Sequence, residues 1–289
     1  MSADPPVAGL PTSMPLPREL LVRARQLAAG EIMPVTPRAA ATVVLLRDGG
    51  SGLEGYLLRR VRTMAFAGGM YVFPGGTVDP RDSALSDGHW AGAPPDQWAR
   101  ILSADSDLTR ALVCAAVRET FEESGVLLAG PTANDVVEDT RGANWEADRA
   151  ALVDRTLSFA DFLERRELVL RADLLRPWAH WITPEIETKR YDTRFFVAAL
   201  PTGQRTRDVG GEADHAQWLA PATAVARHLE GDLGMLPPTV VTLRELSSYD
   251  RVADVLAAGS DRDVRPRLPQ VVVDADTARL LLPHADDGT

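Results

Sequence analysis

Residues 106–125, SDLTRALVCAAVRETFEESG, carry the strongest local constraint in the chain. Asp105 or Ser106 supplies an N-cap, the alanines with Leu112 and Val117 supply an apolar side at helical spacing, and Gly125 sits where a C-terminal cap belongs. At 3.6 residues per turn Glu119 and Glu123 lie one turn apart, with Glu122 three residues from the first, so the three carboxylates share a face. Each like-charged pair costs roughly 0.2–0.5 kcal/mol on an exposed helix, and more where water is excluded. Arg118 reaches Glu122 at i+4 and leaves Glu119 and Glu123 facing each other. A hard divalent cation, Mg²⁺ or Mn²⁺, fits that gap, since carboxylate oxygens with retained waters suit it. A solvated acidic face is the competing reading of these residues taken alone.

A second segment points to the same place. In FPGG, residues 73–76, a glycine turn would let backbone amides and carbonyls approach a metal-bound phosphate, because no Cβ intervenes. Before it, AAATVVLLRDG and LEGYLLRRV read as a hairpin, and MYVFPGG as a short strand entering the turn. Beyond the acidic helix, VLLA reads as a strand and residues 144–170 as helical. PWAHWITP, RYDTRFFVAAL and AQWLAP then read as three strands. A helix from about Ala222, one longer helix through TVVTLRELSSYDRVADVLAAG and a terminal hairpin VVVDADTARLLLP complete the chain. Strands and helices are interspersed without regular βαβ alternation, which predicts an α+β fold of mixed sheets with covering helices.

Charge and composition narrow the function classes. A net charge of -10 argues against a grip on nucleic-acid phosphates. The single cysteine, Cys114, lies in an apolar run; it reads as a buried packing residue and fits a reducing compartment. The longest apolar run, residues 39–46, falls far short of the ~20 residues a membrane helix needs. Five prolines before Arg18 predict an irregular leader, followed by a helix in RELLVRARQLAAG. With neither a signal-peptide pattern nor an SKL-like terminus, the expected location is cytoplasmic. No histidine pair has the HExxH spacing of a zinc hydrolase.

FPGGTVDPRD followed by RETFEESGV resembles the Nudix box of the Nudix hydrolases: glycine, five residues, glutamate, seven residues, Arg-Glu, an aliphatic residue, any residue, Glu-Glu, any residue, Gly and an aliphatic residue. Gly76 matches its first glycine, and Arg118, Glu119, Glu122, Glu123, Gly125 and Val126 match its second half. Three features depart from it. Asp82 stands for the first glutamate, Thr120 stands for the aliphatic residue, and 35 residues separate Asp82 from Arg118 instead of seven, an insert of 28. A surface loop of that length costs closure entropy only logarithmically, so turn and helix can remain together. Together with VFPGGTVD, WITPEIETKRYDTRFF and AQWLAP, the split box resembles the long Nudix branch that includes peroxisomal coenzyme A diphosphatases, over about residues 40–238.

The resemblance implies a Nudix-like α/β/α sandwich and metal-dependent hydrolysis of a pyrophosphate bond in a nucleoside diphosphate derivative. CoA or acyl-CoA leads, with ADP-ribose, NADH, a nucleotide sugar or a dinucleoside polyphosphate as alternatives, and a non-catalytic nucleotide sensor as the reading from another class. Glu119, Glu122 and Glu123 are the expected metal ligands, and Arg118 is expected to orient them. Glu212, in the GGEAD loop, is the candidate general base, with Asp82 ranked below the helix acids as an indirect ligand. Gly75, Gly76, Arg59, Arg60 and Arg62 are candidate substrate contacts, the arginines for a 3′-phosphate. Trp90, Trp98, Trp178 and Trp181 are read as core residues or as surfaces for adenine or an acyl chain, and Glu185 and Glu187 lie near a substrate mouth.

The expected organisation is a leader and helix over 1–37, a hydrolase domain over 38–235 with an insert at about 83–105, and a helix-and-hairpin extension over 236–289. The expected partner is a small nucleotide substrate, with no nucleic acid and no membrane; a homodimer rests on fold analogy alone.

Overall fold

A computed structural model describes residues 13–64, 67–207, 210, 213–274 and 277–283. The AAATVVLLRDG segment forms β1, Arg38–Gly49, and turns back as β2, Gly52–Arg60. β3, Tyr71–Val72, and β4, Gly75–Thr77, follow; then come β5, Arg176–Ile182, β6, Tyr191–Ala199, β7, Ala213–Leu219, and β8, Pro266–Arg267. They make one mixed sheet in the order β7-β2-β1-β6-β5-β8, with β3 paired to β2 and β4 to β1. β6 runs parallel to β1, while β5 and β7 run antiparallel to their neighbours β6 and β2.

β1 is shared in a way that places the site. Its far end pairs with β2 from Leu46↔Gly55 to Gly49↔Gly52, and its near end pairs with the glycine turn, Ala41↔Gly76 and Thr42↔Gly75. The turn is therefore stitched into the sheet.

Side chains alternate along a strand, and here both faces are covered. Ala41, Val43 and Leu45 point into a core shared with Leu112, Val113, Ala116 and Val117 of helix 106–124 and with Phe159 and Phe162. Val44 and Leu46 point the other way, to Trp178, Phe195 and Val197 and to the helices that carry Val225, Val240, Leu243 and Val255. The expected α/β/α sandwich of mixed strands and covering helices is what the chain adopts.

The helices are α1, Arg18–Ala28, α2, Pro95–Leu102, α3, Ser106–Ser124, α4, Ala143–Val153, α5, Phe159–Arg165, α6, Pro221–Leu229, α7, Pro237–Leu246, and α8, Val252–Ser260. Four local expectations need correction. The single long helix expected near the end is two, α7 and α8, because the β1–β2 hairpin docks at the break: Asp48 accepts from Val252 N at 2.9 Å, and Leu53 N donates to the Asp250 carbonyl. The leader, expected to be irregular, contributes strand Ser13–Pro15, which pairs with Ala278–Leu281 of the terminal hairpin; residues 1–12 lie outside the described residues. VLLA is strand only at Ala129–Gly130, which joins Val169–Arg171 and Trp90–Ala91 in a small sheet that ties the insert to the body. Residues 144–170, expected to be helical, end in that second strand. Among the described residues no helix is long and apolar enough to cross a membrane.

Candidate active site

α3 begins and ends as its sequence requires. Asp105 accepts from Leu108 N at 2.8 Å, and Gly125 takes the left-handed cap with φ 72°. Thr120 stands where the Nudix pattern has an aliphatic residue. It is fully buried, and its hydroxyl is satisfied by the Ala116 carbonyl at 2.7 Å, so the departure leaves no orphaned polar group.

Arg118, 9% exposed, is the hub of the last turns. Its Nε donates to Asp82 Oδ1 at 3.1 Å and its Nη2 to Asp82 Oδ2 at 3.0 Å, a two-pronged contact with a carboxylate that is 2% exposed. Nη2 also donates to the Thr77 carbonyl at 3.0 Å; Nη1 serves Glu119 Oε1 at 2.8 Å and Glu122 Oε1 at 3.1 Å. These five contacts engage every N–H the guanidinium has. The i+4 pairing expected from the sequence is one of them, but Arg118 also takes Glu119, which helical spacing alone sets against Glu123. Asp82 fills its place by clamping Arg118 and by accepting from Asp79 N at 2.8 Å in a capping box.

The glycine turn closes against the same face. Gly75 N donates to Glu123 Oε2 at 2.8 Å, and a Cβ on Gly76 would stand 2.4 Å from Glu119 Oε1. Only glycine lets Glu119 lie where it does.

Three carboxylates on one guanidinium leave the cluster negative. Burial pushes the Glu119 carboxyl up to about 7, against the pull of Arg118 and with the repulsion of Glu122 and Asp82 adding to it. Burial likewise raises Glu122 and Asp82. For Arg118, burial works against the charge, but Glu119, Asp82 and Glu122 outweigh it and hold the guanidinium protonated.

Among the described residues no three acids, histidines or cysteines converge on a common ligating point, since Glu119, Glu122 and Asp82 turn oxygens to Arg118 and Glu123 turns one to Gly75. The donor chemistry nonetheless fits a hard divalent cation: four carboxylates, one cation, and a buried acid whose charge is unfavourable until more positive charge arrives.

These residues line a cleft of about 700 Å³ together with Gly75, Gly76, Arg60, Trp181 and Phe195. Of the three arginines expected near the substrate, Arg60 lines it, while strand alternation sends Arg59 to the other side, where it pairs with Asp214 at 2.6 Å; Arg62 is outside the lining. Glu187 lines the cleft and Glu185 does not, and Glu212 lies outside the described residues. Trp98 packs edge-on against Phe196, Trp178 donates to Glu245, and Trp90 donates to the Ala93 carbonyl, which leaves Trp181 as the cleft tryptophan among the four. Two cleft arginines, Arg81 and Arg155, carried no sequence signal that singled them out.

Residues 97–246 match the family model described as the NUDT19 Nudix domain. The chain belongs to that Nudix family. It is 26% identical over 233 residues to the acyl-coenzyme A diphosphatase NUDT19 of Xenopus laevis, covering 69% of this chain and 61% of the frog protein. To the protein of the same name from Homo sapiens it is 27% identical over 273 residues, covering 80% of this chain and 71% of the human one. The chain thus spans about six tenths of the length of the frog relative. A crystal structure of a NUDIX hydrolase from Alicyclobacillus acidocaldarius superposes with a TM-score of 0.67 at 30% identity, over 77% of this chain and 96% of that one.

Proposed function

We propose that the protein hydrolyses the pyrophosphate bond of a nucleoside diphosphate derivative, with CoA or acyl-CoA as substrate, giving 3′,5′-ADP and a 4′-phosphopantetheine product. The observation that carries the reading is the net-negative cluster of Asp82, Glu119, Glu122 and Glu123 around Arg118, set in a cleft with a glycine turn on one side and Trp181 and Phe195 in its lining. The name of the frog and human relatives supports the choice of substrate.

In this reading Glu119, Glu122 and Glu123 hold a divalent cation, Mg²⁺ or Mn²⁺, which when bound offsets the charge of the diphosphate and acidifies a water. Arg118 makes no substrate contact: with its donors engaged it fixes Glu119 and Glu122 and keeps them from spreading under mutual repulsion. Gly75 and Gly76 keep the cleft open to a phosphate next to the backbone, and Arg60 offers a cation to the phosphates of the substrate. Glu212 is retained as the general base that takes the proton of the attacking water.

The same reading assigns the hydrolase unit to 38–235, with 1–37 before it and 236–289 supplying part of the cleft lining through Leu236, Pro237 and Thr239. A cytoplasmic setting and a homodimer complete it; microscopy of the tagged protein tests the first, and a monomeric mass in solution would remove the second.

The test is product analysis with CoA, ADP-ribose and NADH, with and without Mn²⁺, beside Glu123→Gln, whose amide oxygen can still accept from Gly75 N. Metal-dependent release of 3′,5′-ADP from CoA, lost in the variant, is the expected result. Absence of that product from metal-loaded protein overturns the CoA assignment, and preferential cleavage of ADP-ribose or NADH would move the substrate within the same chemistry.

A further inference from the structure

α4 ends in a Schellman motif, in which Arg155 N donates to the Leu152 carbonyl at 2.9 Å and Thr156 N to the Ala151 carbonyl at 2.9 Å. The position between these two bonds must be left-handed, and glycine is the usual occupant because a Cβ there is strained. Here it is Arg155, with φ 58°. A residue held in an unfavourable backbone conformation is a pointer to a use for its side chain.

Two further observations indicate the use. Arg155 lines the cleft of the carboxylate cluster. The turn is also held in place: Arg81, fastened to Asp79 through Nε at 3.0 Å and Nη2 at 2.8 Å, donates its Nη1 to the Arg155 carbonyl at 3.1 Å. Asp79 and Arg81 belong to the segment that also delivers Asp82 to Arg118, so the turn bearing Arg155 is referenced to the acidic cluster itself. Among the described residues the Arg155 guanidinium forms no ion pair, and it is exposed. A cation fixed by its backbone, left unpaired and placed in a cleft of acids suits a polyanion that arrives with its own counterion.

We propose that Arg155 binds a phosphoryl group of the substrate diphosphate, and that the left-handed backbone at this position is retained for that contact. The inference rests on the reading of the cleft as a diphosphate site, and it assigns Arg155 to ground-state binding rather than to the bond-breaking step.

Arg155→Gly separates backbone from side chain, since glycine relieves the strain while removing the charge; Arg155→Lys keeps the charge without the fork. Inorganic pyrophosphate with Mg²⁺ is the probe, measured by calorimetry beside a thermal melt and steady-state kinetics. The expected result for Arg155→Gly is a Tm raised by about 2 °C, a pyrophosphate Kd weakened by about tenfold, and KM raised by a similar factor with kcat within threefold. Arg155→Lys should fall between it and the parent. A pyrophosphate Kd within twofold of the parent in the glycine variant overturns the assignment, as does weakened binding accompanied by a fall in Tm. If the parent binds pyrophosphate through Arg155 but cleaves none of CoA, ADP-ribose or NADH, the proposed reaction fails while this contact stands.

Discussion

Replacing Gly76 with alanine should disable the site while leaving the fold almost untouched. Gly76 is not among the glycines with positive φ, so alanine meets no backbone strain there. Its Cβ would stand 2.4 Å from Glu119 Oε1, 2.5 Å from Cδ and 2.7 Å from Oε2, against an ordinary contact near 3.4 Å, so the carboxylate must retreat by about 1 Å. What yields is the end of a flexible side chain. The loss is the 2.8 Å bond from Arg118, a charge-assisted contact of about 1.5–3 kcal/mol, offset by the roughly 0.4–1 kcal/mol that alanine gains over glycine through the unfolded chain. Stability should therefore fall by only about 1–2 kcal/mol. A misplacement of about 1 Å at a reacting centre costs on the order of 100-fold in rate, or about 2.7 kcal/mol of barrier. Gly75→Ala is the control, because its Cβ would meet the Ala41 carbonyl oxygen at 2.6 Å and the Thr42 Cα at 2.8 Å, main-chain atoms of β1 that cannot swing away. Thermal melts, Mn²⁺ titration and nucleotide release from CoA should give a folded, nearly inactive Gly76→Ala with weakened metal binding, and a destabilised Gly75→Ala. A Gly76→Ala protein within twofold of the parent in both Mn²⁺ affinity and kcat/KM, or one as unstable as Gly75→Ala, would show that Gly76 does not set the position of the Glu119 carboxylate.

Three other outcomes follow from the same cluster and core. With its carboxyl raised to about 7 in the folded protein, Glu119 retains a proton there that the unfolded chain has released from about pH 4.5 upward. Stability in EDTA should therefore decline as pH rises from about 4.5 to 7 and level off above, by about 3 kcal/mol, and urea unfolding of Glu119→Gln should show a flatter profile over that window. Arg118→Ala strands the buried Asp82 carboxylate and should destabilise by about 3–5 kcal/mol, read by urea unfolding at pH 8. Trp98→Ala should cost about 3–5 kcal/mol with KM unchanged, whereas Trp181→Ala should also shift KM because Trp181 lines the cleft; melts paired with kinetics distinguish them.

Much of this was legible in the sequence because it is local. α3 carries its own period, cap and glycine stop, and its three glutamates fall on one face by spacing alone. The β1–β2 hairpin and strands β5, β6 and β7 were legible from alternation and turn residues. What escaped depends on distant partners. Asp82 lies 36 residues from the arginine it clamps, so its role could not be read from the box. The break between α7 and α8 is made by Asp48, 204 residues from the amide it accepts. Arg59 and Arg60 are adjacent in sequence but part company because a strand sends neighbours to opposite sides. Arg155 is a site residue only because a helix happens to end there, and helix ends are the least certain boundaries to read from sequence.

The engaged guanidinium of Arg118 has a further consequence for how the chain reaches its native state. Its donors go to the helix that bears it, to the Thr77 carbonyl beside the glycine turn, and to Asp82 at the start of the insert. A chain that docks α3 with the insert threaded wrongly, or the turn out of register by one residue, would bury a guanidinium and an aspartate without each other. Such a species is penalised by several kcal/mol. The contact thereby favours the threading in which the two halves of the split motif meet correctly over compact alternatives in which they do not, so that the core and the site are stabilised together.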